Sequence, residues 1–262
     1  MEHAARSTYP CPSCGTALAP AAQGCPECGV EVAPSRRATS TVRPKPVRER
    51  PTADPSLVRQ LWEAVYEAAI TVDAPGHAVV LLGRALLWLG LVIWGWKLAT
   101  ASIASNYVGE SFLHLINLPF HEAGHIFFSP LGRFLQVLGG SLGQLLMPAI
   151  CAGALLLQHR NPFGASVATW WLGESLLDLA PYINDARALE LMLLGGVTGK
   201  EVEDYHDWEY LLRTTGLLPY DHVFAGVAHA LGTLTMVFAL IWGATLLMKQ
   251  QRRLSQAHGS RG

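Results

Sequence analysis

Five apolar segments account for most of the chain after residue 76 and constrain its fold more than any other feature. They cover residues 78–102, 111–129, 133–158, 165–183 and 224–248. A helical run of about 20 apolar residues is long enough to cross the hydrocarbon core of a bilayer. Charged residues make up 15% of the chain, well under the roughly 25% of an average soluble domain. We therefore predict an all-α polytopic membrane domain over residues 76–250, surrounded by the lipid bilayer.

The segment at 111–129 is predicted to form a short helix that does not cross the bilayer. Asn117 suits a helix N-cap, Pro119 suits the first turn, and Pro130 would end the helix. About eleven helical residues at 1.5 Å each cover roughly 16 Å, which is too short for a bilayer. The other four segments then form four transmembrane helices around one embedded helix. Basic residues near both ends of the chain place both termini in the cytoplasm, which an even number of crossings allows.

The embedded helix carries the sequence His121-Glu122-Ala123-Gly124-His125. Histidines four residues apart share one face of a helix and can hold a single metal ion. Glu122 lies beside the first of them, where zinc peptidases with this spacing keep their general base. Three titratable groups in an apolar segment are costly unless they bind something or each other. The spacing therefore predicts a catalytic zinc ion inside the membrane domain, with His121 and His125 as ligands.

A catalytic zinc ion usually has three protein ligands and a water molecule, so a third donor is expected. Asp178 is the first choice, because it lies among Leu and Ala residues where an unpaired carboxylate is unfavourable. A structural carboxylate paired with hydrogen-bond donors, or with an arginine such as Arg187 or Arg84, explains Asp178 equally well. The alternatives are Asp185 and His206, although a hydrogen bond within its own turn also explains His206.

Three further residues are candidates for roles near the metal. Glu174 lies one turn before Asp178 and can orient a ligand through a hydrogen bond. His114 precedes His121 by two helical turns and is close enough to reach the site. His229, in the last apolar segment, is more often a satisfied core histidine than a ligand. A path for zinc through His229 and Asp178 would instead indicate a sensor or a transporter.

Four of the five cysteines form two copies of one pattern, Cys11-Pro-Ser-Cys14-Gly and Cys25-Pro-Glu-Cys28-Gly. Two such turns, each followed by a glycine that can adopt a positive φ, complete a closed tetrahedral zinc site. We expect a structural zinc ion over residues 1–30, with a pair of disulfides as the alternative. So small a module has little apolar core, so zinc binding would supply most of its folding energy. It resembles the zinc-ribbon modules at the ends of many bacterial membrane proteins, which implies the bacterial inner membrane.

The remaining segments are polar. Residues 31–55 are rich in proline and arginine and are predicted to form a disordered linker. Residues 56–75 are predicted to form an amphipathic helix on the membrane surface or against the spans, and residues 251–262 a disordered tail. A net charge of -1 and the absence of an aromatic and basic surface on the ribbon do not favour nucleic-acid binding. A cytoplasmic protein is the expected partner of the ribbon.

The His-Glu-x-x-His motif in an apolar helix, followed by Asp178 on a later membrane helix, resembles the site-2 protease family of intramembrane zinc metalloproteases. The resemblance covers residues 112–183. It implies that two histidines and an aspartate hold zinc, while the glutamate activates a water molecule that attacks a peptide bond of a membrane-spanning substrate. Carried over to this chain, His121 and His125 are ligands and Glu122 is the base. Asp178, in Leu-Asp-Leu, corresponds to the aspartate of the family's Leu-Asp-Gly motif, with two letters matching.

Two departures from that family motivate a different hypothesis. No glycine follows Asp178, and no Asn-Pro-x-Pro run precedes it. The alternative function is a non-catalytic membrane adaptor or pseudoprotease, in which the ribbon recruits a cytoplasmic partner. In that case the buried histidines and aspartates only stabilise the helices. The two hypotheses differ in whether replacing Glu122 abolishes cleavage of a membrane protein.

Overall fold

A computed structural model of the chain describes residues 8–19, 22–32, 56–72 and 78–259. The protein divides into two compact units, Met1–Asp54 and Pro55–Gly262. Most of the predicted linker at 31–55, the end of the predicted amphipathic helix and the last three residues lie outside the described residues. The two units are considered separately below.

The N-terminal unit is built from two turns of the same design. Strands β1 (Tyr9–Pro10) and β2 (Ala17–Leu18) pair antiparallel on either side of the first turn. Gly15 and Gly29 close the two turns with φ angles of 80° and 68°, a conformation that glycine adopts without steric cost. The prediction that these glycines take a positive φ is confirmed.

The second unit is helical. Its helices are α1 (Leu57–Ile70), α2 (Ala78–Thr100), α3 (Phe112–Phe128), α4 (Arg133–Leu157), α5 (Pro162–Asn184), α6 (Asp207–Thr214) and α7 (Asp221–Gly259). Among the described residues, three helical segments are long and apolar enough to cross a membrane, namely Ala78–Thr100, Arg133–Leu157 and Leu218–Ala257. These correspond to α2, α4 and the segment that contains α7.

A fourth span, predicted at residues 165–183, is not confirmed. The helix at this position, α5, is less apolar than the three candidates because Glu174, Ser175 and Asp178 lie in its middle. All three residues are buried. A close approach to α7 contributes to this burial, since a Cβ on Gly173 would lie 2.7 Å from the carbonyl oxygen of Gly232. Helix α5 therefore brings polar side chains into the interior of the unit.

Helix α3 begins earlier than the sequence predicts. Ser111 is its N-cap, with the Oγ atom accepting a hydrogen bond from the backbone N–H of His114 at 3.4 Å. Asn117 is not the cap but lies inside the helix with Pro119. A proline inside a helix removes one backbone hydrogen bond. At 17 residues, or roughly 25 Å, α3 is not among the three candidate spans.

Glycines let α3 and α4 touch backbone to backbone. A Cβ on Gly124 of α3 would overlap the carbonyl oxygen of Gly139, and one on Gly143 would overlap that of Phe120. Small residues are the usual means of bringing two membrane helices this close. The glycine-rich part of α4 therefore packs directly on the helix that carries the histidine pair.

Helix α1 lies beside the C-terminal half of α7. The indole N–H of Trp242 donates to the carbonyl oxygen of Ala69 at 2.9 Å, and the ammonium of Lys249 donates to that of Ile70 at 3.3 Å. These bonds satisfy carbonyl groups at the end of α1. Helix α7 continues to Gly259, so the disordered tail predicted from residue 251 is wrong over residues 251–259.

Candidate metal centre

The histidine pair lies on one face of α3, as the four-residue spacing requires. The ring centroids of His121 and His125 are 4.9 Å apart. One ligand atom from each of these rings and a carboxylate oxygen of Glu122 lie within 4.8 Å of one another. His121 is buried, and the other two residues are partly exposed. These three residues can hold a metal ion.

Asp207, the first residue of α6, provides a third donor. Its Oδ2 atom lies 3.0 Å from Nε2 of His121 and 3.2 Å from Nε2 of His125. One nitrogen from each ring and one carboxylate oxygen therefore converge on a single point. Two imidazoles and a carboxylate form a common protein ligand set of a catalytic zinc ion.

The other nitrogen of each ring shows why this point suits a cation. Nδ1 of His125 lies 2.9 Å from the carbonyl oxygen of Gln136, and Nδ1 of His121 lies 3.3 Å from Oε1 of Gln144. Oxygens of this kind only accept hydrogen bonds, so each Nδ1 carries the hydrogen. In the neutral rings both Nε2 lone pairs then face the Asp207 carboxylate. Lone pairs and a carboxylate that meet in this way are stabilised by positive charge, either protons on the rings or a metal ion, and a metal ion fits the donors present.

Two neighbours hold Asp207 in place. The backbone N–H of Asp207 donates to the hydroxyl oxygen of Tyr182 at 2.9 Å. His206 is the N-cap of α6, its Nδ1 accepting a hydrogen bond from the N–H of Glu209 at 3.1 Å. Burial raises the pKa of the Asp207 carboxyl, but hydrogen bonds and positive charge from the facing histidines, which are protonated when no metal is bound, hold that pKa below its ordinary value. The carboxylate is therefore the form present at neutral pH.

The structure does not bring Asp178, the first-choice third ligand, to the two Nε2 atoms. Its carboxylate is hydrogen-bonded to Nδ1 of His114 at 3.0 Å, to Nδ2 of Asn117 at 3.1 Å and to Nε2 of Gln144 at 2.8 Å. These donors satisfy the carboxylate without a metal, as the alternative explanation of Asp178 requires. The arginine suggested as its partner, Arg187, instead pairs with Asp221 at 2.7 Å.

The two alternative ligands support the loop before α6. Asp185 accepts the backbone N–H groups of Glu190 and Leu191, both at 3.0 Å, and its Oδ2 lies 3.5 Å from Nε2 of His206. Burial raises the pKa of Asp185, but these donors lower it overall. His206 makes a hydrogen bond within its own turn, as one of the two explanations of it predicts.

The remaining candidates lie around the site or away from it. Oε2 of Glu174 accepts a hydrogen bond from Nδ2 of Asn117 at 3.0 Å, so Glu174 is linked to Asp178 through one shared amide. His114 contacts Asp178 and lines the cavity beside the histidine pair. His229 belongs to α7, and its buried Nε2 atom has no hydrogen-bond partner among the residues that the structure describes.

Sequence reasoning missed Asp207 and Gln144. Asp207 belongs to an acidic, polar segment, and the sequence does not distinguish its carboxylate from the others there. One signal was present in the sequence. His206 and Asp207 directly precede an amphipathic stretch, and this position marks the start of a helix. Gln144 is one of two glutamines in an apolar helix, and nothing in its neighbourhood distinguishes it.

A cavity of about 600 Å³ adjoins the histidine pair. The side chains of Glu122 and Tyr182 line it together with the metal donors. One part of its remaining wall is apolar and comes from α3, α4 and the loop after α5; examples are Leu115, Val137 and Leu191. Polar residues such as Arg133 and Asp204 line the rest. The space admits a chain segment with apolar side chains next to Glu122.

The four N-terminal cysteines form a second candidate metal site. Their sulfur atoms lie within 4.8 Å of one another, and all four are free thiols. The Sγ atoms of Cys11 and Cys28 are 3.8 Å apart, which matches the edge of a tetrahedron with Zn–S bonds of about 2.3 Å. Hydrogen bonds from Thr16 and the neighbouring thiols lower the pKa of Cys14 to about 6, which favours the thiolate that zinc binds. The cluster can therefore hold a metal ion.

Comparisons of the chain with protein-family models, curated proteins and solved structures gave no significant match. The function therefore has to be inferred from the geometry of the site.

Proposed function

We propose that this protein is an intramembrane zinc metallopeptidase, similar to site-2 proteases, that hydrolyses peptide bonds of membrane proteins. The observation that carries the proposal is the convergence of two imidazole nitrogens and the Asp207 carboxylate beside Glu122. In this proposal His121, His125 and Asp207 hold the zinc ion, and Asp207 takes the place that the sequence had suggested for Asp178.

Glu122 is the proposed general base. A zinc ion at the site would supply Lewis acidity, which lowers the pKa of a water molecule toward about 7 and polarises a carbonyl group. The Glu122 carboxylate accepts a proton from the attacking water while the new C–O bond forms. It then passes that proton to the amide nitrogen as the C–N bond breaks. The proton removed from water thus leaves on the amine product.

Membrane proteins are the proposed substrates because of where the site lies. The histidines belong to a helix packed against α4, one of the three helices apolar enough to cross a bilayer. A soluble substrate would have to leave water to reach them. The apolar wall of the cavity suits a segment that unwinds from a transmembrane helix. We place the protein in the bacterial inner membrane with both termini cytoplasmic, which requires α5 to cross as a fourth span. The contacts of α1 with the C-terminal half of α7 support a shared side of the membrane for these two helix ends.

The ribbon would provide a second, structural zinc site. Its closed set of four thiols leaves no open position for a substrate. We propose that it recruits a cytoplasmic protein, a role compatible with either an active enzyme or an adaptor. A full chain should then bind two zinc ions. Replacing Cys11 and Cys14 together, or His121 and His125 together, should each remove one, as measured by metal analysis of the purified protein.

The test of catalysis replaces Glu122 with glutamine. Single-span membrane proteins tagged on both sides of the membrane are co-expressed in a bacterial host with the wild-type chain, Glu122→Gln or Glu110→Gln. Glu110 is exposed just before α3, so its replacement is a matched control. We expect fragments with the wild type and the control, none with Glu122→Gln, and equal zinc content in all three.

Two results would count against the enzyme. If Glu122→Gln yields the same fragments as the wild type, Glu122 is not the general base and this mechanism is excluded. A wild-type chain that binds two zinc ions but cleaves none of the substrates would favour the adaptor, with the site retained for stability.

A further inference from the structure

Gln144 connects the metal site to Asp178 through the interior of the helical unit. Its Oε1 atom lies 3.3 Å from Nδ1 of His121, and its Nε2 atom lies 2.8 Å from Oδ2 of Asp178. All three side chains are buried, with 3%, 8% and 5% of Gln144, His121 and Asp178 exposed. The two contacts are therefore direct side-chain contacts at the inner wall of the cavity.

The orientation of the Gln144 amide follows from its two acceptors. Besides Asp178, its Nε2 atom lies 3.3 Å from the backbone carbonyl oxygen of Ser175. A carboxylate and a carbonyl group only accept hydrogen bonds, so the NH₂ end of the amide has to face them. The carbonyl end of Gln144 then faces His121. With Asp178 absent, the amide would lose the stronger of these two acceptors, because the carboxylate is charged.

This orientation decides which nitrogen of His121 binds metal. Because Oε1 of Gln144 accepts a hydrogen bond, the hydrogen of the neutral imidazole lies on Nδ1 and the lone pair lies on Nε2. Only the nitrogen with the lone pair can be a ligand. His125 differs, because a backbone carbonyl, that of Gln136, holds its Nδ1 at 2.9 Å. Of the two rings, His121 is therefore the one whose tautomer depends on side chains.

Asp178 is itself held as an acceptor. Nδ2 of Asn117 donates to its Oδ2 at 3.1 Å, and Nδ1 of His114 lies 3.0 Å from its Oδ1. The Asn117 amide is oriented in turn, because its Oδ1 accepts the indole N–H of Trp171 at 2.8 Å. Asp178 thus has a fixed position from which it can orient Gln144.

We propose that Asp178 is a positioning residue that acts through Gln144 to hold His121 in the tautomer that binds metal. The proposal rests on the metal site of the proposed function but not on peptide hydrolysis. It gives a reason for a buried carboxylate that lies near the metal without reaching it. Partners of this kind typically change metal affinity by about 10–100-fold.

The test measures the zinc dissociation constant of the membrane-domain site, in the full chain in detergent with the ribbon already loaded. All variants also carry Glu122→Gln, so catalysis does not contribute. We expect Gln144→Leu and Asp178→Leu each to raise the constant by about 10–100-fold. The control Ser175→Ala removes a hydroxyl from the same cluster but keeps the carbonyl that Gln144 uses, so it should leave the constant close to that of the parent.

A conservative variant separates positioning from direct ligation. In Asp178→Asn the new Oδ1 can accept from Gln144 and Asn117, while its NH₂ donates to Nδ1 of His114. Affinity should therefore stay close to that of the parent chain. If Asp178 were itself a ligand, Asp178→Asn would lose nearly as much affinity as Asp178→Leu, which would overturn the proposal.

A chain that carries both Gln144→Leu and Asp178→Leu tests whether Asp178 acts through Gln144. If Asp178 acts through Gln144, Asp178→Leu should cause little further loss in a Gln144→Leu chain, whereas independent effects would multiply. Independent losses overturn the proposal. So would ¹⁵N NMR of the zinc-loaded parent chain with the hydrogen on Nε2 and the metal on Nδ1 of His121, a measurement that needs no further variant. Failure of the proposed peptidase activity would leave these affinities unchanged.

Discussion

Gly140 of α4 faces Nε2 of His121 so closely that a Cβ at position 140 would lie 2.6 Å from this nitrogen. The same Cβ would lie 2.5 Å from Nε2 of His125. It would therefore fill the space in which the lone pairs of the two rings meet. A glycine at this position leaves room for an ion and its remaining ligand.

We predict that Gly140→Ala abolishes zinc binding at the histidine pair while leaving the ribbon site loaded. The matched control is Gly153→Ala on the same helix, because a Cβ there meets no atom within 4 Å. Metal analysis of the purified chains should give one zinc ion for Gly140→Ala and two for Gly153→Ala. Two zinc ions with Gly140→Ala would mean that the metal does not lie between the Nε2 atoms.

The contact between α3 and α4 should be sensitive to a single methyl group. Gly124→Ala places a Cβ against the carbonyl oxygen of Gly139, and backbone cannot move aside as a side chain can. Overpacking of this kind typically costs about 1–3 kcal/mol. We expect a lower thermal unfolding temperature in detergent than for Gly90→Ala, where a Cβ meets no atom within 4 Å. Equal temperatures would contradict the close packing of α3 on α4.

Sequence patterns predict those elements whose residues all share one kind of environment. Long apolar runs indicated α2, α4 and α7, and repeated Cys-x-x-Cys turns indicated the cysteine cluster. They are wrong at Pro119, which the sequence places in the first turn of a helix, because α3 begins two turns earlier at its cap Ser111 and runs through the proline. They also fail where a tertiary contact decides the outcome. Asp178 was favoured as a ligand because its surroundings are apolar. Its partners His114 and Gln144 come from two other helices, and sequence alone does not place them together.

The loop after α5 should respond to pH through Asp185. The pKa of this carboxyl is lower in the folded chain than its unfolded value of about 3.9. The carboxylate therefore stabilises the fold at pH values above about 4, and this contribution is lost as pH falls through the folded pKa. At neutral pH, Asp185→Asn should destabilise the metal-free chain by about 1–3 kcal/mol, because one of the two backbone N–H groups loses its acceptor.

Thermal unfolding of both chains across a pH series measures this effect. The difference between wild type and Asp185→Asn should shrink below pH of about 4. Glu201→Gln is a suitable control, because Glu201 is an exposed acceptor in the same loop. A difference that persists unchanged in acid would show that shape, not charge, is what Asp185 contributes.

The ribbon should depend on its metal for folding. We predict that Cys14→Ser lowers the zinc content by one ion and removes the chemical-shift dispersion of the N-terminal unit in NMR spectra. Cys151→Ser is the control, because Cys151 lies in α4 outside both candidate metal sites. It should retain two zinc ions and an unchanged ribbon. A folded ribbon in Cys14→Ser would contradict a site that requires four thiolates.

His121 and Asp207 are 86 residues apart in the sequence, which has a consequence for biosynthesis. When α3 and α4 leave the ribosome, the carboxylate that completes the ligand set has not yet been translated. Only after α6 has followed α5 out of the exit tunnel can all three donors meet. In the proposed peptidase the ligand set is therefore incomplete until α6 has emerged, and the nascent chain cannot hydrolyse a peptide bond before that point.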